Sequence, residues 1–389
     1  MTEERPLIEA KKILGDLIAF PTISEDSNLD IIAYLAEKLR DVGAEVQIFR
    51  DETGKKANLF ATLGPSGDGG IILSGHTDVV PVEGQAWSSD PFTMMERDGC
   101  LFGRGSCDMK GFIAATIALA PSFAALPLKR PLHFAFTYDE EVGCFGAQAL
   151  LDSLDQQNLR PSLAIIGEPT EMQIVEGHKG CYEYTTEFKG LEGHSSMPDQ
   201  GVSAVEYAVR FATKLLALRD EMKSTAPKDS RFEPRYTTMH IGRIEGGTAR
   251  NVIAQHCHLD WEIRPVHPED SEFVKNAMSA FVDNTLRPAM KEVDELADIV
   301  TRVICEVDGL QPVAHSEARE MVAELTGANS THVVAFGTEA GLFQTAGLSA
   351  IICGPGSIAQ AHKADEFLSI GQLNACLIML EKLKAKLIS

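Results

Sequence analysis

Gly103-Arg104-Gly105-Ser106-Cys107-Asp108-Met109-Lys110-Gly111 separates a polar loop from a strongly apolar helical run, Phe112 to Leu119. Glycines at both ends and in the middle let the backbone turn sharply and approach other groups closely. The turn delivers one acidic side chain, Asp108, at the start of the helix, where the dipole and free backbone N–H groups favour a carboxylate. Alone, Asp108 reads as a helix N-cap. Its company elsewhere in the chain argues for more.

Outward from this turn, apolar strands repeatedly run into ionisable residues. Gly70–Gly75 ends in His76-Thr77-Asp78, and Leu132–Tyr138 ends in Asp139-Glu140-Glu141. Leu163–Gly167 ends in Glu168-Pro169-Thr170, and Ala350–Cys353 precedes Ala361-His362-Lys363. Helical patterns separate most of these strands, which predicts an α/β domain with a mostly parallel sheet. Ligands bind such sheets beyond the carboxyl ends of the strands. His76, Glu140, Glu141 and Glu168 should therefore converge at one edge, with His362 arriving on a following loop.

From Cys181 to about Val307 the pattern changes. Tyr182–Phe188 alternates, Gly201–Leu218 and 269–286 read as helices, and Thr237–Ile241, Asn251–Arg264 and Ile299–Val307 read as strands. In the Asn251–Arg264 strand, Val252, Ala254, His256 and His258 should share one face. The expected division is a catalytic domain over 1–180 and 308–389, interrupted by an α+β module over 181–307. Before the first of these strands, 7–19 and 29–42 read as amphipathic helices, with Gly43 as the stop for the second.

The whole chain has 389 residues, 44% of them hydrophobic and 23% charged, which suits two globular domains. A net charge of −21 argues against nucleic acid and against an anionic membrane as partners. Met1-Thr2-Glu3-Glu4-Arg5-Pro6 shows no basic region followed by an apolar stretch, so no signal peptide is expected. The eight cysteines contain no C-x-x-C pair, and reduced thiols in a cytoplasmic protein are the expectation.

His76, Asp108, Glu141, Glu168 and His362 form a donor set suited to Zn²⁺ or a similar ion. Five ligands exceed the needs of one catalytic zinc and suit two ions with Asp108 as the bridge. Asp78, two residues from His76, can accept a hydrogen bond from the second ring nitrogen. Adjacent Glu140 and Glu141 point different ways, so one can bind metal while the other remains a free general base. His256 and His258 should face solvent, His133 should be a core histidine, and Cys107 should serve packing.

His76–Pro81, Gly103–Gly111, Asp139–Gly143, Gly167–Thr170 and Ala361–Glu366 together resemble the dinuclear-zinc deacylases and exopeptidases. The resemblance spans nearly the whole chain. It implies His76, Asp108 and Glu141 on one ion, and Asp108, Glu168 and His362 on the other. The ions it leads one to expect are Zn²⁺, with Co²⁺ able to substitute. It makes Glu140 the general acid/base and Asp78 the residue that orients His76. The inserted module becomes a lid and dimerisation domain of a homodimer. His194, within Gly190–Ser196, would reach the partner's active site, while Asn251 and Arg264 would contact a substrate carboxylate. The implied substrate is a small N-acyl amino acid.

Phe336–Phe343 is implied to face that substrate. Glu339 there should repel a succinyl chain's distal carboxylate and attract an ammonium. This favours N2-acetylornithine over the substrates of the family's desuccinylases and carboxypeptidases. The rival from another class, a non-catalytic metal-binding scaffold, has no need for the unligated Glu140.

Overall fold

A computed structural model describes residues 4–389. Residues 1–3, on which part of the leader expectation rests, lie outside the described residues. The chain divides into two compact units. The first comprises residues up to Gly177, Leu310–Val333 and Thr338–Ser389, and the second His178–Gly309 with Val334–Gly337. No helix among the described residues is long and apolar enough to cross a membrane.

In chain order the main strands begin with β1 (Glu45–Arg50), β2 (Ala57–Leu63), β3 (Ile71–His76), β4 (Leu132–Thr137), β5 (Leu163–Pro169) and β6 (Ile174–His178). They continue with β7 (Cys181–Lys189), β8 (Thr238–Gly246), β9 (His256–Arg264), β10 (Asp298–Val307), β11 (Thr331–Val334) and β12 (Ser349–Gly354). The large sheet of the first unit has the order β1-β2-β4-β3-β5-β12-β6-β11. Its four central strands, β4-β3-β5-β12, run parallel, while β1, β2 and β6 pair antiparallel. This is the expected α/β architecture with a parallel centre. The central strands are buried along their length, as a sheet covered on both faces requires.

The helix Gly111–Ala124 is apolar nearly all round because it packs against the sheet and against the helices Glu4–Ile18 and Ile370–Leu387. Phe112 lies so close to β5 that a Cβ on Gly167 would fall 1.9 Å from its ring. Only glycine fits there, immediately before Glu168. The apolar core runs through Leu73, Phe134, Ile165 and Ile351 of the sheet into Ile113 and Leu380 of the helices.

The second unit has a four-stranded antiparallel sheet of order β8-β9-β7-β10. Alternating burial along β7 leaves Tyr182, Tyr184 and Phe188 on the inner face and Cys181, Glu183 and Glu187 on the other. The helices Ala204–Ser224 and Pro268–Phe281 cover the inner face. One strand expectation fails. Asn251–Arg264 is not continuous: Val252–Ile253 pairs with Gly193–His194, and β9 starts afresh at His256. No glycine or proline marks the gap at 254–255, so the residue pattern does not reveal it. The shared face expected of Val252, Ala254, His256 and His258 therefore does not form, although both histidines are exposed.

Candidate metal centre

The parallel strands end where the chemistry collects. His76 is the last residue of β3, Glu168 is the last but one of β5, and Glu140-Glu141 sit in the turn beyond β4. His362 follows β12 after a short turn and holds a left-handed backbone at φ 61°. Asp108 comes from the glycine-rich turn, where Gly105 takes φ 77°. Its own backbone is extended at φ −118°, ψ 95°, and the helix begins only at Gly111. Asp108 is therefore not an N-cap.

Its two oxygens face two different partners. Oδ1 lies 3.0 Å from His76 Nε2, and Oδ2 lies 3.5 Å from His362 Nε2. Glu168 Oε1 is 3.8 Å from His76 Nε2, and Glu141 Oε2 is 3.0 Å from His362 Nε2. Potential ligand atoms of His76, Asp108 and Glu168 gather within 4.8 Å, as do those of Asp108, Glu141 and His362. The expected pairs thus exchange their glutamates: Glu168 joins His76, and Glu141 joins His362. Glu168 belongs to a strand adjacent to β3, whereas Glu141 lies on a turn that reaches further out. A third gathering of His76, Glu140 and Glu141 keeps Glu140 beside the pairs.

This donor set fits divalent ions. His76, Asp108 and Glu168 are 1%, 6% and 4% exposed, yet Glu168 Oε1 has no hydrogen-bond partner. An orphaned buried carboxylate oxygen is costly unless a cation meets it. Burial pushes Glu140 and Glu168 well above the usual carboxylate range, and neighbouring carboxylates add to the effect. The hydrogen bonds to Asp108 and then Glu141 raise His362 to about 10. His76 is also raised well above its ordinary value, because bonds to Asp108 and Asp78 outweigh burial. Protonated imidazoles are drawn to a cluster holding more negative charge than its own cations offset.

Asp78 acts differently from expectation. Its backbone carbonyl, not its carboxylate, meets His76 Nδ1 at 2.9 Å; the nearest carboxylate oxygen is 3.6 Å away. The carboxylate instead accepts the N–H groups of Glu140 and Glu141 at 3.1 and 3.3 Å, and the Ser24 hydroxyl at 2.7 Å. One residue thereby fixes both the imidazole and the turn that carries the paired glutamates.

Glu366 has a role its sequence motif did not reveal. Its carboxylate accepts Arg104 Nη1 at 2.8 Å and the N–H groups of Gly105, Cys107 and Asp108 at 2.9, 2.8 and 3.0 Å. Arg104 also donates to Gln85 at 2.6 Å, and Gln85 donates to the His362 carbonyl at 2.9 Å. Asp108 and His362 are tied through this chain of contacts.

Glu339 contradicts its expected place at the substrate. It is 1% exposed and accepts hydrogen bonds from Thr137 and Ser74, beneath the strand ends. Its turn is packed against β3 and β4, so the carboxylate has no free face for an ammonium. It does not cap the following helix by its side chain either. Burial, with Asp78 adding, raises it from the usual 4.5 to about 7. The folded state then holds this proton more tightly than the unfolded state. The stability so contributed is complete below about pH 4.5 and lost as pH rises through about 7. At 1.36 kcal/mol per pH unit that loss is on the order of 3 kcal/mol. In chelator-treated protein, Glu339→Gln should flatten the fall in urea midpoint across this window. Parallel pH dependence of variant and parent would refute the assignment.

Cys107 is buried, its thiol on the Ser357 carbonyl at 3.3 Å. His133 stacks on Phe60 and meets the Thr62 hydroxyl at 2.9 Å. Both serve packing. In the second unit, His194 and Asn251 adjoin: Ser195 N–H donates to the Asn251 carbonyl at 3.1 Å, and His194 pairs with Val252. Both side chains are exposed. Arg264 ends β9, eight residues beyond His256 and roughly 26 Å along the strand, where Glu262 binds it at 2.9 Å. The structure does not bring Arg264 to the other two.

The sequence profile of Peptidase family M20/M25/M40 matches residues 72–385. Acetylornithine deacetylase of Shigella sonnei is 37% identical over 376 residues, 93% of each chain. A tripeptidase from Staphylococcus aureus superposes with TM-score 0.74 at 19% identity, covering 99% of this chain and 98% of its own. The M20 family metallo-carboxypeptidase Sso-CP2 from Sulfolobus solfataricus gives TM-score 0.75 at 16% identity, covering 97% and 99%. These two structures share the fold.

Proposed function

The chain belongs to Peptidase family M20/M25/M40, a family of metal-dependent hydrolases, and we propose that it cleaves the amide of N2-acetyl-L-ornithine to ornithine and acetate. The observation that carries the substrate is the 37% identity to an acetylornithine deacetylase across nearly the full length of both chains. The reaction is a step of arginine biosynthesis, and the location is cytoplasmic. Free thiols at all eight cysteines agree with a reducing compartment.

His76, Asp108 and Glu168 would hold one ion, and Asp108, Glu141 and His362 would hold the other. Zn²⁺ is the expected metal, with Co²⁺ as a substitute. Two such ions supply positive charge that acidifies water and polarises the scissile carbonyl. Glu140 takes the proton from the attacking water and passes it to the leaving amine. Asp78 holds the Glu140 backbone in place during the exchange.

The protein works as a homodimer in which the partner supplies His194 to the carbonyl oxygen. Asn251 comes with it, and Arg264 contacts the substrate carboxylate from its own chain. The distance along β9 between Arg264 and the adjoining His194 and Asn251 supports contributions from two chains. Mixing inactive His194→Ala chains with inactive Glu140→Gln chains should restore activity in hybrid dimers. Exchange of subunits without recovery would sink the dimer role.

A hydrolysis panel with zinc or cobalt tests the substrate. N2-acetylornithine should give a higher kcat/KM than N-succinyl-diaminopimelate or acetylmethionine. A preference for the succinyl substrate overturns the assignment in favour of a desuccinylase. Hydrolysis of none, with both metals bound, favours a scaffold.

A further inference from the structure

On the face of the small sheet opposite its helices, two cysteines and a glutamate from two strands converge. Cys181 and Glu183 are two residues apart on β7 and point the same way. Cys305 of β10 stands directly opposite Glu183, and Val307 opposite Cys181. A bulge between Val303 and Cys305 makes this possible. In an unbroken register Ile304 would take the place opposite Glu183; the extra residue turns Cys305 onto that face instead.

The two sulfurs and a Glu183 oxygen lie within 4.8 Å of one another. Cys181 Sγ is 3.6 Å from Glu183 Oε1, and neither thiol is in a disulfide. Cys305 is buried, while Cys181 and Glu183 are half-buried, so the cluster is closed below and open to solvent on one side. A tetrahedral zinc with sulfurs at about 2.3 Å needs them about 3.8 Å apart. The cluster is within about one ångström of that spacing.

We propose that Cys181, Cys305 and Glu183 bind a third, thiophilic divalent ion of the zinc class, separate from the pair of ions held at the ends of the parallel strands. The donor chemistry differs between the two places. The strand-end set offers only imidazole and carboxylate, whereas this one offers two sulfurs, which select soft and borderline ions. Binding releases the two thiol protons to water, and solvent fills the fourth position. The Cys181 thiol points at Glu183 Oε1, and the Cys305 thiol points at the Cys181 carbonyl at 4.0 Å. The charge of Arg264 offsets part of the negative charge at Cys181. The ion would join the inner strand β7 to the edge strand β10.

Cadmium is the probe. Zinc-loaded, phosphine-reduced protein titrated with Cd²⁺ should show thiolate-to-cadmium charge-transfer absorption that saturates at one equivalent. Cys181→Ser and Cys305→Ser should abolish it, and Glu183→Gln should weaken binding at least tenfold. Cys181 is the more exposed thiol, so its variant carries the test if the Cys305 variant does not fold. His76→Ala should leave the absorption intact. No charge-transfer absorption in the parent, its persistence in Cys181→Ser, or its loss in His76→Ala would each overturn the proposal.

Discussion

Glu140→Gln is expected to lower kcat by 10²–10⁴-fold, the usual contribution of a general acid–base group, while both metal ions remain bound. Glu140 lies beside the two ligand pairs, and its backbone is held by Asp78 rather than by any ion. Glutamine keeps the shape and the hydrogen-bonding reach of the side chain but cannot carry the proton. Metal content by elemental analysis and steady-state kinetics together decide the matter. KM should change little, because the lost interaction belongs to the transition state. Near-normal turnover would remove Glu140 from the mechanism, and loss of one ion would make it a ligand instead.

The second large effect is expected at Glu366. Removing this carboxylate leaves Arg104, 1% exposed, without its ionic partner and strips the acceptor from three backbone N–H groups. Breaking a buried ion pair on one side costs about 3–5 kcal/mol, so Glu366→Ala should lower the thermal midpoint by roughly 10 °C. The same carboxylate holds the backbone of Asp108. Metal affinity should therefore fall by about 10–100-fold, as for other groups that support metal ligands. Calorimetry and competition with a chelator give the two readouts. A variant that melts with the parent and holds its metals equally well would show that the contacts at Glu366 are dispensable.

The parallel centre of the large sheet was legible in the sequence because buried parallel strands read as short apolar runs. The clustering of His76, Glu140, Glu141 and Glu168 was legible because each run ended in an ionisable residue. The pairing of the ligands was not. His76 sits on β3 between β4 and β5, so adjacency alone brings both Glu141 and Glu168 within range. The choice depends on Glu168 lying within its strand and Glu141 on a turn, a three-dimensional difference that spacing does not encode. Glu366 escaped for a related reason. Its partners lie more than 250 residues earlier and are mostly backbone N–H groups, which no side-chain pattern advertises. Glu339 misled because an acidic residue in a glycine-bearing turn reads as exposed, whereas Ser74 and Thr137 bury it.

Because β12 lies inside the large sheet, between β5 and β6, the sheet cannot close until the last part of the chain has been synthesised. His362 and Glu366 arrive with that same part. During translation most of the second unit, His178–Gly309, therefore emerges while the first unit still lacks an interior strand. An emerging chain that stops short of Leu310 carries exposed edges on β5 and β6 that β12 would otherwise cover. Such a chain also lacks His362, one of the two histidines that gather with the acidic cluster.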